Sequence, residues 1–150
     1  KVKYIAPFIS LIHSVDKLKL LKVINKEGKK NKRVIPCLLQ MHIADESTKF
    51  GMDLDECMQL LESESFKQMQ NIEIRGLMGM ATFTDDTEQQ RSEFRQLRSF
   101  FDKLKKEYFS QADSFKEISM GMTNDYQLGI EKGSTMVRIG TAIFGDRPAN

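Results

Sequence analysis

Short apolar runs alternate five times with longer stretches whose apolar residues recur every three or four positions, and that alternation confines the chain to a parallel α/β sheet. No hairpin signal, repeat or low-complexity segment interrupts it. The runs are Ile9–His13, Val34 to about Ile43, Ile72–Met80, Phe115–Ser119 and Met136–Ile139. The second is apolar at consecutive positions, which predicts a strand buried on both faces. With right-handed crossovers, every functional loop falls at the carboxyl ends of the strands.

The intervening segments read as helices. One starts at Asp16, with Leu18, Leu21 and Ile24 on one face and Gly28 as its stop. Ala44–Phe50 reads as a polar loop, Gly51 as the bend after it, and Asp53 as the cap of a helix to about Glu64 with Leu54, Met58 and Leu61 facing inward. After the loop Thr82–Asp86, Thr87 and Gln90 have the spacing of a capping box. Phe94, Leu97, Phe101 and Leu104 then form a core stripe on a long helix. Asn124 caps a short helix ended by Gly133.

A chain of 150 residues, 40% hydrophobic, suffices for one domain with a sizeable core. Its 23 basic and 21 acidic residues are too balanced to argue for nucleic acid or a membrane surface, and Lys29-Lys30-Asn31-Lys32-Arg33 reads as a solvated turn. Cys37 and Cys57 form neither a metal-ligand spacing nor a disulfide framework, and nothing resembles a signal peptide or spanning segment. The cytoplasm is the expected compartment, with Cys37 a buried structural thiol in its apolar run and Cys57 on a helix.

Two glycine-punctuated turns close the last two strands: Ser119-Met120-Gly121-Met122-Thr123-Asn124-Asp125, and Arg138-Ile139-Gly140-Thr141 before the short turn Ala142–Gly145. In a parallel sheet both strand ends face the same way. The Thr123 hydroxyl and the N–H groups around Gly140 and Thr141 are therefore expected to converge, and convergent N–H groups attract phosphate. Arg138, on a strand otherwise built from Val137 and Ile139, is expected to point where the strand ends. The plainer alternative keeps Gly121 and Gly140 as ordinary turn glycines and Arg138 as a solvated or paired side chain.

His13-Ser14-Val15-Asp16, Arg75-Gly76-Leu77-Met78, the first glycine turn and Gly133-Ser134-Thr135-Met136-Val137-Arg138-Ile139-Gly140-Thr141-Ala142-Ile143-Phe144-Gly145 resemble the YggS/PROSC family. These are pyridoxal 5′-phosphate (PLP) homeostasis proteins, similar in fold to the N-terminal barrel domain of alanine racemases. Thr123 stands where that family commonly has serine, which keeps the hydroxyl. The family's PLP-carrying lysine lies on the first barrel strand, in a motif like Ala-Val-Ser-Lys-Thr, and that motif and the Phe-Gly-Glu-Asn-Tyr-like strand after it do not occur here. The resemblance therefore covers the C-terminal five-eighths of a (β/α)8 TIM-type barrel: an incomplete barrel of about five strand–helix units, one domain over residues 1–150. Such a sheet leaves edges exposed, and the sequence leaves open self-association, a fragment of a longer protein, or an open sheet.

The resemblance implies a PLP-binding protein of vitamin B6 homeostasis without robust catalysis, in which bound PLP is not covalently attached to this stretch. Gly140 and Thr141 amides with the Thr123 hydroxyl would hold the phosphate, and Arg138 would meet the pyridine nitrogen. Ser119 and Met120 either line that site or pack, and Met78 and Met80 either face the ring or fill the barrel core. An ending at Asn150, soon after Phe144-Gly145-Asp146-Arg147, argues against racemase activity because the racemases carry a second domain. The alternatives are a PLP-dependent racemase-like enzyme and a phosphate-binding barrel enzyme without PLP. His13, Ser14 and Asp16 form no triad by position, and His13 is expected to be a hydrogen-bonded strand-end residue. His42, Asp45 and Glu46 lack a third ligand at fixed spacing, so no metal is expected. Lys49 is expected to be solvated.

Overall fold

In the computed structural model, which describes residues 1–46 and 50–148, five parallel strands lie side by side in sequence order. They are β1 (Ile12–Val15), β2 (Ile35–Gln40), β3 (Ile72–Met78), β4 (Glu117–Met122) and β5 (Met136–Arg138). The helices are α1 (Val2–Ile5), α2 (Leu18–Lys30), α3 (Leu54–Glu62), α4 (Glu64–Lys67), α5 (Thr87–Tyr108), α6 (Tyr126–Glu131) and α7 (Thr141–Phe144). Lys49 lies outside the described residues.

β2 is buried at every position, as its unbroken apolar run predicts. Ile35, Cys37 and Leu39 enter the core under the helices, together with Leu21 and Ile24 of α2, Leu60 and Leu61 of α3, and the stripe Phe94, Leu97, Phe101 and Leu104 of α5. Each such side chain contributes about 1.5–3 kcal/mol by leaving water. Leu38 and Gln40 alternate with them, are equally shielded, and belong to the opposite face.

A bulge in β3 decides which residues reach each face. Cys37 pairs with Ile74 and Leu38 with Gly76, so Arg75 is one residue too many for its partner strand. Ile74 and Leu77, three apart, thereby share the helix side, and Met78 turns to the other. Gly76 is obligatory there: its φ is +150°, and a Cβ would lie 1.8 Å from the Glu117 carbonyl oxygen.

The sheet is curled. In a flat sheet β1 and β4, three places apart, would be separated by about 14 Å, yet His13 Nδ1 lies 3.0 Å from Ser119 Oγ. That contact spans the concave face of a barrel arc, the incomplete barrel the sequence predicts.

Several boundaries differ from the sequence reading for identifiable reasons. β1 starts at Ile12, because the Arg33 guanidinium draws in the preceding segment, donating to the Ala6 carbonyl at 2.5 Å and the Ile9 carbonyl at 2.6 Å. Arg33 thus leaves the expected solvated run, whose lysines stay exposed. α2 begins after Lys17 without a side-chain cap. Gly28 does not end it but lies inside it, where a Cβ would come 2.6 Å from the Asn71 carbonyl oxygen; Lys32, at φ 54°, turns the chain out instead.

Asp53 caps α3 as expected and forms a capping box with Glu56. Asp86 rather than Thr87 caps α5, while Gln90 donates to the Thr82 and Thr84 carbonyls. β4 begins after Phe115, which stacks between Phe101 and Phe109 at ring-centroid distances of 4.9 and 4.1 Å. The cap position of α6 falls to Asp125, one residue beyond Asn124, and Gly133 ends the helix as expected, at φ +98°.

Candidate functional site

The carboxyl ends of the strands surround a cavity of about 810 Å³. Loops after β2, β3, β4 and β5 all line it, with Gln40, Phe50, Met80, Phe83, Thr123 and Gly140 among the contributors. Phe83 and Phe144 are largely exposed at its rim.

The two glycine turns converge as the sequence predicts. The Gly140 amide donates to Thr123 Oγ1 at 3.3 Å, and Thr123, Gly140 and Thr141 all face the cavity. Gly121, at φ +99°, makes the first turn possible, since a Cβ there would lie 2.9 Å from the Tyr126 Cα. Asp125 then fixes that turn by accepting from the Met122 amide at 2.7 Å. In the second turn the carbonyls of Gly140 and Thr141 are used by Ile143, Phe144 and Gly145. The amides of Thr141 and Ala142, by contrast, make no hydrogen bond among the described residues. Two free N–H groups beside a hydroxyl suit an anion with several acceptor oxygens.

Arg138 is half-buried, with Nη1 donating to Ser119 Oγ at 2.5 Å and Nη2 to the Gly79 carbonyl at 3.1 Å. Burial pushes its pKa down while Asp125 pushes it up; a guanidinium remains charged regardless. Two of its five N–H donors are engaged among the described residues. Ser119 is fully buried and held from two sides, by Arg138 and His13. Ser119, Arg138 and Met78 do not line the cavity itself, whereas Met80 does. Met120 belongs to the helix-side core.

His13 is hydrogen-bonded as expected, but it is the second residue of β1 rather than its carboxyl end, because the strand runs on to Val15. Burial and then the charge of Arg138 hold its pKa below 6.5. His42 and Glu46 line the cavity but contact backbone: His42 Nδ1 lies 3.3 Å from the Phe50 carbonyl, and Glu46 accepts from the Phe83 amide. Among the described residues no cluster of three metal-ligating side chains forms. Cys37 and Cys57 are free and buried, each thiol pushed up to about 12 by burial, so neither serves as a nucleophile.

Glu93, one residue before the apolar stripe, is a buried carboxylate that the sequence reading did not single out. It is 7% exposed. Its carboxylate accepts from the Asp45 amide, the Thr82 amide and hydroxyl, and Gln89 Nε2 at 2.6–3.2 Å. It thereby ties the loops after β2 and β3 together beside the cavity, which it does not itself line.

A parallel strand–helix arc whose loops surround one cavity at the strands' carboxyl ends defines the class: a TIM-barrel-like domain, in which no described helix is long and apolar enough to cross a membrane. The chain belongs to the alanine racemase N-terminal domain family, whose model matches residues 3–148. It is similar to the pyridoxal phosphate homeostasis proteins of Pasteurella multocida, at 38% identity over 151 residues, and Aquifex aeolicus, at 36% over 147 residues. Each match covers 98% of this chain, but only 61% and 62% of the relative's length. The structure of PipY from Synechococcus elongatus with PLP bound matches 97% of this chain and 65% of that one, with a TM-score of 0.81 and 28% identity.

Proposed function

We propose that the loops after β4 and β5 hold pyridoxal 5′-phosphate, and that the protein serves vitamin B6 homeostasis by carrying and handing over this cofactor, without robust catalysis of its own. One observation carries the reading: the Thr123 hydroxyl and the free amides of Thr141 and Ala142 meet on one wall of a cavity of about 810 Å³. The residues present fit the group. Gly140 leaves the turn bare, since a Cβ built there meets nothing within 4 Å, so a phosphoryl group has room against the backbone.

Arg138 would take the ring end. Bound PLP acts as an electron sink, which is strongest when its pyridine nitrogen is protonated. A permanently charged guanidinium donates to that nitrogen and has no proton to yield, so it keeps the sink weak. The names of the relatives support a homeostatic role for this site. Among the described residues no lysine lines the cavity, so these residues hold the group non-covalently.

Equilibrium dialysis of the full-length protein against PLP, pyridoxal and inorganic phosphate tests this. Loss of the phosphate should weaken retention at least about tenfold, the worth of one charge-assisted hydrogen bond or more. Equal retention of PLP and pyridoxal would remove the phosphate cradle. Retention of phosphate without PLP would point to another phosphate ligand, and robust racemisation of alanine would replace the carrier role by an enzymatic one.

A further inference from the structure

The ring end of this site is braced from a strand that contributes nothing to the cavity wall. Arg138 Nη1 donates to Ser119 Oγ at 2.5 Å, and His13 Nδ1 lies 3.0 Å from the same oxygen. The directions of these bonds are fixed by chemistry. A guanidinium only donates, so Ser119 Oγ accepts from Arg138 and directs its single proton elsewhere. Ser119 is fully buried, and His13 Nδ1 is the acceptor its hydroxyl reaches among the described residues. Nδ1 is therefore the bare nitrogen of a neutral imidazole and Nε2 carries the hydrogen. Burial and the neighbouring Arg138 charge favour the same neutral form.

The chain of bonds has a mechanical consequence. Without the histidine, Ser119 Oγ could still accept from the guanidinium, but its proton would be buried without this acceptor and the side chain would lose the contact that fixes its rotamer. With the histidine, the hydroxyl is satisfied on both sides and its oxygen is held in place as an acceptor for the guanidinium. Arg138 is then held by two acceptors on different strands, the Gly79 carbonyl after β3 and the Ser119 oxygen on β4. Ser119 is in turn tied to β1, across the concave face of the arc.

We propose that His13 is a positioning residue of the ligand site, acting through the Ser119 hydroxyl to set the direction of the Arg138 guanidinium. The proposal rests on the PLP reading above.

Three substitutions separate the hydrogen bond from mere space filling. In His13→Asn the amide oxygen replaces Nδ1 as acceptor; in His13→Leu the volume stays and the acceptor goes; in Ser119→Ala the link itself goes. Dialysis against PLP and the visible absorption maximum of the bound chromophore, which reports on the group facing the ring nitrogen, are measured for each full-length variant. The asparagine variant should stay within about twofold of the parent, and the leucine and alanine variants should each bind about tenfold more weakly, the scale of one lost hydrogen bond, with a shifted maximum. Combining His13→Leu with Ser119→Ala should lose no more than either change alone. Parent-like affinity and spectrum in His13→Leu, or equal losses in the asparagine and leucine variants, would overturn the proposal. A parent protein that retains no PLP would instead overturn the reading on which it rests.

Discussion

Replacing Gly140 by alanine separates ligand binding from folding more cleanly than any other change in the site. Gly140 is exposed, its φ is −120°, and a Cβ placed on it meets nothing within 4 Å. The fold therefore has no steric objection, and the cost to stability should stay within about 0.5 kcal/mol. A phosphoryl oxygen bonded to the next amide, that of Thr141, needs to approach within about 2.9 Å of the nitrogen, and a methyl group at the neighbouring Cα occupies that approach. Losing one charge-assisted bond costs about 1.5–3 kcal/mol, which weakens PLP binding about 10- to 150-fold. Gly121→Ala is the contrast, since its φ of +99° and a Cβ 2.9 Å from the Tyr126 Cα place the damage in the fold. Dialysis and a thermal melt on both variants read the difference. If Gly140→Ala binds PLP within about twofold of the parent while melting normally, the amides beyond Ile139 do not hold the phosphate. A melting loss equal to that of Gly121→Ala would instead mean that the space beside Gly140 is not open.

Two further outcomes follow from polar groups that are wholly or partly shielded from water. Glu93→Gln sets an amide donor against the ring of donors from Asp45, Thr82 and Gln89, and should destabilise the protein by about 2–4 kcal/mol in urea titration; a loss under about 1 kcal/mol would show that the carboxylate does not tie the two loops. His13 has a folded-state pKa below 6.5, so the unfolded chain takes up its proton first as pH falls. Its contribution is complete above about pH 6.5 and is lost as pH drops below that value toward the folded pKa. The midpoint of urea unfolding should fall over this window less in His13→Asn than in the parent, and identical pH profiles would contradict the assignment.

The fold was legible wherever one periodicity had one meaning. Phe94, Leu97, Phe101 and Leu104 recur at helical spacing and nothing else competes for them, and the continuous apolar run of β2 has no amphipathic reading. The two glycine turns were legible for a related reason: a strand that must stop at a given glycine carries its next few residues to a known end of the sheet. What failed was punctuation that depends on distant neighbours. Gly28 looks like a helix stop in its local sequence, but it answers to the Asn71 backbone 43 residues on. Arg33 looks like part of a charged run until the carbonyls of Ala6 and Ile9 come within its reach.

The same distinction divides the site. Thr123, Gly140 and Thr141, the residues proposed for the phosphate side, lie in short turns whose geometry is local, so sequence spacing alone predicts that they meet. The ring-side brace joins His13 to Ser119 across 106 residues and exists only because the sheet curls. Strand curvature is set in part by the Arg75–Gly76 bulge, which turns Met78 away from the helices and onto the concave face beside Ser119. A substitution at Gly76, far from any ligand, is therefore expected to disturb the direction of Arg138 before it disturbs the phosphate turns. On the proposed reading, local sequence specifies where the phosphate would be gripped, while the curvature of the whole sheet specifies what the far end of the ligand would meet.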